Sequence, residues 1–517
     1  MQRGWRSGKG ARRALAAALL FLAATALAQM PTPPSRIGAR VVSEAKDLSS
    51  IETIEIDEPM PVPHALPVPA GAASFRFEPL IVPAPAPASA APAQSFPGLG
   101  DDNTSVPPDT NGAVGTNHLL VTLNSQVQVQ TRGGAAVQTL SLRTFFDPVR
   151  NGRVFDPHVA FDARAGQWIV AAVGDQKITT NGTRTGSGVL LAVSDGIDPT
   201  GLWSEYRFDS PADVWYDYPL FGYDDAKITI SLNVYALADN QFVRAVIYVI
   251  PRTNPASAVK FDLPNLGGGM APTVSLDAGT ATYLLQTWNS NSGGAGYLRL
   301  YSVSAAAITP VAFVPSPAPW GHLSAEDIAP QLGRPEKIDA GDDRLNGAVL
   351  RNGSIWAAQT IYLPSPSRAA VQWWQVSATG TPQQRGTIDD PSGEFFYAYP
   401  SIAVNRRNDA LLGFSRFSAT TFASTGYATR AGGDAPNAMS PPVVFKNGEA
   451  PYYKIFSTTT TRNRWGDYSA AVVDPLNDVD FWALEEYAAP PIGSDRWGTW
   501  WVRVTTSAPP RRRAARH

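Results

Sequence analysis

Polar and apolar residues alternate along most of this chain with the period of a strand rather than a helix. From Asp109 onward, short apolar runs recur between turn residues. Leu119 to Leu123, Gln126 to Thr131, Gln167 to Val173, Gly188 to Val193, Lys227 to Val234 and Arg244 to Ile250 each read as strands. So do Thr282 to Thr287, Tyr297 to Val303, Ser354 to Gln359, Ala370 to Val376, Ala410 to Phe414, Val479 to Leu484 and Trp500 to Thr505. No amphipathic run long enough for a substantial helix occurs after the N-terminal segment. The pattern predicts an all-β fold.

The strands group into units. Each unit opens on a polar residue, often beside proline, followed by a short apolar strand, a turn and longer strands ending in aromatics. Openings fall at Asp109, Asp156, Asp217, Pro272, Asp343, Tyr399 and Asp467, roughly 50 to 70 residues apart, the length of a four-stranded propeller blade with insertions. The expectation is a single β-propeller, most readily seven-bladed, over residues 101–506. Two tandem β-sandwiches are the competing architecture, but no linker-like break interrupts residues 109–505. The last unit carries only about three strands. A strand borrowed from the other end of the chain would close the ring and remove the open edge. Phe75 to Val82, where apolar and polar residues alternate, is the candidate.

The N-terminus has a different character. Arg3, Arg6, Lys9, Arg12 and Arg13 precede an apolar run from Ala14 to Ala28 that ends Ala26-Leu27-Ala28. A basic stretch, a short apolar stretch and a small-x-small site predict a signal peptide over residues 1–28. Export to the periplasm or the medium follows, with no transmembrane segment after cleavage. Residues 29–100 form a Pro/Ala-rich leader, with Val82-Pro83-Ala84-Pro85-Ala86-Pro87 favouring an extended conformation. Residues 507–517 form a basic tail expected to be disordered.

Composition narrows the chemistry. The chain has no cysteine, which excludes thiol nucleophiles, zinc–thiolate sites and covalent haem attachment. Its five histidines are widely separated and form no metal-binding motif. A net charge of −2 with mixed signs offers no basic stripe for nucleic acid. Gly-x-Ser-x-Gly, P-loop and dinucleotide fingerprints are absent. The chain is expected to be a monomer that requires no cofactor.

Several segments resemble a family of uncharacterised secreted bacterial propeller-like proteins. The landmarks are Pro108-Asp109-Thr110-Asn111-Gly112-Ala113-Val114-Gly115 with Asn117-His118, then Asp156-Pro157 and Asp217-Tyr218-Pro219. Gly341-Asp342-Asp343-Arg344-Leu345 and Arg464-Trp465-Gly466-Asp467-Tyr468-Ser469 complete them, and the last is the most specific. The resemblance implies fold and export and brings no activity. Ser194 to Trp203 also looks like a stretched form of the Asp-box hairpin of sialidase-type propellers, in which Ser and Asp tie a turn and Trp packs between blades.

In a propeller the first strand of each blade lines the axis, and residues at its start crowd one mouth of the channel. Asp156, Asp217, Asp467, Arg344, Arg464 and Tyr399 are therefore the candidate catalytic residues. Three uses are open. The acidic groups could bind Ca²⁺, for which Asp474, Asp478 and Asp480 are further candidates. Two carboxyl groups could cleave a glycosidic bond; a sialidase-like variant would pair Tyr399 with Glu394 and use Arg153, Arg344 and Arg464 on a substrate carboxylate. Alternatively, Asp343 with Arg344 and Asp467 with Arg464 could be ion pairs that fix blade geometry. The primary expectation is a binding or scaffold module for a glycan, peptide or cell-surface polymer. Trp373, Trp374, Trp497, Trp500 and Trp501 would offer aromatic surface, although Trp at such positions more often packs between blades. The alternative is a glycan-active hydrolase or lyase.

Overall fold

A computed structural model describes residues 35–36, 40–43, 66–68, 87–175, 186–321, 327–365, 367–455 and 462–506. The signal peptide, the basic tail and the Phe75 to Val82 segment lie outside the described residues.

Among the described residues the chain is nearly all β, and the longest helix is the single turn Leu142–Phe145. Each repeating unit is an antiparallel sheet whose strands pair in sequence order, as Asn111–Val114, His118–Thr122, Gln126–Thr131 and Ala136–Ser141 do. The first strands of the units are labelled β1 (Asn111–Val114), β2 (Val154–Asp162), β3 (Val214–Tyr223) and β4 (Met270–Ser275). The series continues with β5 (Leu345–Arg351), β6 (Phe396–Val404) and β7 (Ala470–Val473). Each contacts the next, and β7 contacts β1, so the first strands form a closed ring. Around β4 the neighbours even pair in parallel, Tyr223 with Val274 and Thr273 with Ala348. Antiparallel sheets set radially about such a ring are the arrangement of a β-propeller. Two tandem sandwiches would not close β7 onto β1.

Burial explains the composition. First and second strands have apolar residues on both faces, because each sheet is sandwiched between two others: Gln167–Asp175 is buried at every residue after the first. Continuous apolar runs are what doubly covered strands require. Large aromatics fill the wedges between sheets, and Trp373, Trp374, Trp497 and Trp501 are buried. This corrects their reading as exposed sugar-stacking platforms. Of that set only Trp500 is partly exposed, with its Nε1 donating to Ser95 Oγ at 2.6 Å and Lys446 Nζ 4.4 Å from its ring centre.

The last sheet is completed from the N-terminal side. Gln94–Gly100 pairs antiparallel with Arg496–Val504, Phe96 opposite Trp501. This strand lies within the stretch assigned from sequence to the leader, downstream of Phe75 to Val82. Earlier leader residues also touch the rim. Arg40–Ser43 adds a strand beside Trp203–Asp209, and Ser35–Arg36 adds one beside Val259–Leu263.

The Ser194 to Trp203 hairpin is tied as its sequence suggests. Ser194 Oγ accepts from the Trp168 N–H at 2.8 Å, Asp198 accepts from the Thr200 N–H at 3.0 Å, and Trp203 is buried.

Candidate functional site

The ring strands share a local irregularity at their start. Asp109, Asp156, Tyr218, Gly269 and Tyr399 all adopt positive φ, between 51° and 65°. Asp156, Tyr218 and Tyr399 each precede proline, a position where a side chain rarely tolerates this conformation. The pairing of β2, β3 and β6 with their second strands slips at the same place, between Phe155 and His158, Asp217 and Leu220, and Ala398 and Ser401. Such backbone costs on the order of 1–3 kcal/mol per residue and persists only when its surroundings over-determine it.

The over-determination is a relay of hydrogen bonds between neighbouring sheets. Asn124 Oδ1 accepts from the Asp156 N–H at 2.6 Å, and Asp156 Oδ2 accepts from the Tyr218 N–H at 3.1 Å. Asn233 Oδ1 accepts from the Gly269 N–H at 3.1 Å, and Thr360 Oγ1 from the Tyr399 N–H at 3.1 Å. Asp109 Oδ1 accepts from the Asp467 N–H at 3.0 Å, which joins the first unit to the last. In each case a side chain of one sheet holds the turn that begins its neighbour.

The relay gathers carboxyl groups. Asp109, Asp156 and Asp217 are buried, and Asp467 keeps a side-chain exposure of 16%. Asp109 and Asp156 lie next to each other, and their interaction lowers Asp109 while it raises Asp156. Burial, then the neighbouring Asp217, Asp109 and Asp467, raise the Asp156 carboxyl well above its ordinary range. Burial and the charge of Asp467 push Asp109 up to about 6. Asp217 rises to about 7 by burial and the same Asp467 charge, partly offset by Arg344. No hydrogen bond to the Asp217 carboxyl is found among the described residues.

Two cations answer this charge. Arg464 Nη2 lies 2.6 Å from Asp467 Oδ1 as the sequence suggests, and its Nε is 3.6 Å from Asp339. Arg344 pairs with Asp342 at 2.7 Å and covers the Tyr218 ring at 3.9 Å. This corrects the expected Asp343–Arg344 pair: Asp343 instead accepts from Trp320 Nε1 at 2.7 Å.

The other expected groupings dissolve. Tyr399 is buried and its hydroxyl donates to the Asp339 carbonyl at 2.9 Å, whereas Glu394 is exposed and near Thr420. Arg153 is taken by Asp175 at 2.9 Å, so the three arginines are spent on three different carboxylates. Asp474 pairs with Arg132, Asp478 with Arg351, and Asp480 with Arg503 at 2.8 Å. Among the described residues no group of three or more His, Asp or Glu side chains is arranged to hold a metal ion.

Sequence reasoning missed Glu485 and Glu486 in Phe481–Ala489. Both are buried, and both oxygens of Glu486 lack a hydrogen-bond partner among the described residues. Burial, then Asp109 and Asp101, raise the Glu486 carboxyl well above its usual range. Adjacent charges inside an otherwise apolar strand were the available signal. Asn124, the hub of the relay, was invisible because a single Asn in a turn reads as a turn residue.

Below the aspartates a cavity of about 310 Å³ runs along the ring strands. Asn111, His158, Asn346, Ser401 and Ser469 line its upper part, and each stands two residues after a mouth residue.

No family model matches the chain, and no curated protein is similar to it in sequence. Solved structures with a related arrangement include the α-L-arabinofuranosidase Arb93A of Fusarium graminearum, at 10% identity and TM-score 0.38, covering 80% of this chain and 98% of that one. The endo-arabinase of Bacteroides thetaiotaomicron gives 10% identity and TM-score 0.31 over 69% and 94% of the two chains. The apocarotenoid oxygenase of Synechocystis gives 10% identity and TM-score 0.37 over 65% and 74%. Superpositions this loose separate neither activity nor substrate.

Proposed function

We propose that this chain is an exported, seven-bladed β-propeller that cleaves glycosidic bonds with aspartates at one mouth of its axial channel. The basic and apolar N-terminal pattern supports export. The ring from β1 to β7 supports the blade count.

The observation that carries the chemistry is the contrast between Asp217 and Asp467. Asp217 is buried, free of hydrogen bonds among the described residues, and holds its proton up to about pH 7. Asp467 is partly exposed and ion-paired to Arg464. One carboxyl that holds its proton and another ion-paired to an arginine match the division of labour that glycoside cleavage needs: an acid for the leaving oxygen, and a base or nucleophile as its partner. In this reading Asp217 donates the proton and Asp467 is the anionic partner. Asp109 and Asp156, joined through Asn124 and each accepting from a backbone N–H, hold the mouth in shape.

A second reading, a glycan-binding scaffold without turnover, is favoured by the saturation of Asp109 and Asp156 by Asn124, Asp467 and Tyr218 donors. Hydrolysis of a polysaccharide and aryl-glycoside panel by wild type, Asp217→Asn and Asp467→Asn separates the two. The enzyme reading requires turnover that falls by about 100-fold or more in folded Asp217→Asn protein. Binding without turnover in wild type would establish the scaffold.

A further inference from the structure

Alternate residues of each ring strand face the axis, and below the polar upper part of the cavity this alternation places one apolar side chain from every unit. Ala160 on β2, Phe221 on β3, Val274 on β4, Val349 on β5 and Ala471 on β7 are each incompletely buried although they lie at the centre of the molecule. Ala113 and Ala403 complete the ring. Second strands cover the outer side of the ring strands, so the exposed carbon faces the cavity. Four of these residues are alanine, and larger side chains in their place would fill the axis, as packed interiors do.

The two ends of the cavity differ. At the upper end the Tyr468 ring lies 4.3 Å from the His158 ring and 5.1 Å from the Tyr218 ring, centre to centre. The Tyr218 hydroxyl donates to Asn346 Oδ1 at 3.1 Å. Side chains of four different units thus meet across the axis and separate the cavity from the aspartates. The charged lining residues all stand at the other end. Asp162 closes β2 and Arg351 closes β5, while Arg164 follows β2 and Asp474 and Asp478 follow β7. Each is already paired: Asp162 with Arg252 and Arg164 with Asp225, both at 2.7 Å, Arg351 with Asp478, and Asp474 with Arg132. Arg164 and Asp478, with 31% and 41% of their side chains exposed, mark the way in.

We propose that this cavity is a binding site for one small uncharged apolar molecule, aromatic or short alkyl, that enters from the face opposite the aspartates. An apolar cavity of about 150 Å³ already takes up benzene or xenon. This one measures about 310 Å³, at the lower end of the range for small-molecule sites. A water in the middle of it would need two or more polar partners, which the apolar ring does not offer. A charged ligand would have to leave water for that ring or compete with ion pairs already made at the rim. The inference stands apart from the catalytic reading, because the Tyr218–Tyr468 pair lies between the two places.

The test is calorimetric titration of the whole protein with benzene and toluene, with benzoate as the charged comparison, alongside crystals pressurised with xenon. The proposal expects saturable one-to-one binding of at least one hydrocarbon and xenon lodged between Phe221, Val274 and Val349. Binding should be about tenfold or more weaker for benzoate. It should weaken at least as much when Ala160→Leu and Ala471→Leu together narrow the ring. Absence of saturable hydrocarbon binding, benzoate bound as tightly as toluene, or xenon found only away from the axis overturns the proposal. Hydrocarbon binding that the double substitution leaves unchanged does the same. The wild-type titration and the xenon position decide even if the variant does not fold.

Discussion

Asp156 Oδ2 accepts from the main-chain N–H of Tyr218 at 3.1 Å, so one carboxyl group pins the left-handed turn of the next sheet while facing Asp109. The interaction needs only an oxygen acceptor, not a negative charge. The mouth carboxyls therefore bear a structural duty that their neutral forms perform as well.

Stability should depend on pH accordingly. Unfolded aspartates titrate near 4, whereas Asp109 and Asp217 in the fold titrate at about 6 and 7, and burial and the neighbouring aspartates raise Asp156 as well. The folded state thus binds more protons in this window, and the contribution of the mouth is fully present below about pH 4 and is lost as pH rises through about 7. Thermal unfolding should show Tm climbing as pH falls from about 8 toward 5. Asp156→Asn keeps the acceptor for Tyr218 and supplies a permanent donor toward Asp109. It should raise Tm at pH 8 and have little effect near pH 5.

Asn124 should be the most costly polar residue of the relay to remove. Its amide donates to Asp109 at 2.6 Å and to the Pro107 carbonyl at 3.0 Å, and its oxygen holds the Asp156 N–H. Asn124→Ala strands three buried partners and should cost about 2–4 kcal/mol in denaturant unfolding. Asn124→Asp places a further carboxylate against Asp109 and should be worse at pH 8 than at pH 5.

Truncations should act abruptly at one boundary. Removal of residues 1–86 leaves Gln94–Gly100 paired with Arg496–Val504 and should yield a soluble protein. Removal of residues 1–100 opens the edge of the last sheet and exposes the Phe96 site on Trp482 and Trp501, so that protein should aggregate. Size-exclusion chromatography of the two forms decides.

Chelators should leave Tm unchanged. Asp474, Asp478 and Asp480 are neutralised by Arg132, Arg351 and Arg503, and Trp482 Nε1 also donates to Asp474 at 2.9 Å. Arg503 Nε also lies 3.6 Å from Asp474, so Arg503→Ala should lower Tm by removing part of the compensation of the buried Asp474 carboxylate as well as the Asp480 pair, and added calcium should restore none of it.

The architecture was legible because strands covered on both faces leave long apolar runs between turn residues, and because five unit openings carry a polar residue beside or near proline. The convergence of Asp156, Asp217 and Asp467 followed from that register alone. Partner choice was not legible. Asp342 and Asp343 are adjacent in sequence and diverge in space, one to Arg344 and the other to Trp320. Trp373 and Trp374 look like an exposed aromatic pair until two neighbouring sheets cover both faces of their strand. The closing strand went unseen because Gln94 to Gly100 carries two glycines beside its proline, whereas Phe75 to Glu78 alternates cleanly before its own proline, Pro79.

The central claim is that a carboxyl group at the axis stays protonated near neutral pH. Difference infrared spectra of the protonated carboxyl stretch, recorded for wild type and Asp217→Asn across about pH 5 to 9, test it directly. The account predicts a wild-type component that disappears with a midpoint near 7 and is missing from Asp217→Asn, over the absorption of the other raised carboxyls, Asp156, Glu485 and Glu486, which both proteins share. A wild-type protein without a component of that midpoint, or the same component unchanged in Asp217→Asn, would contradict it.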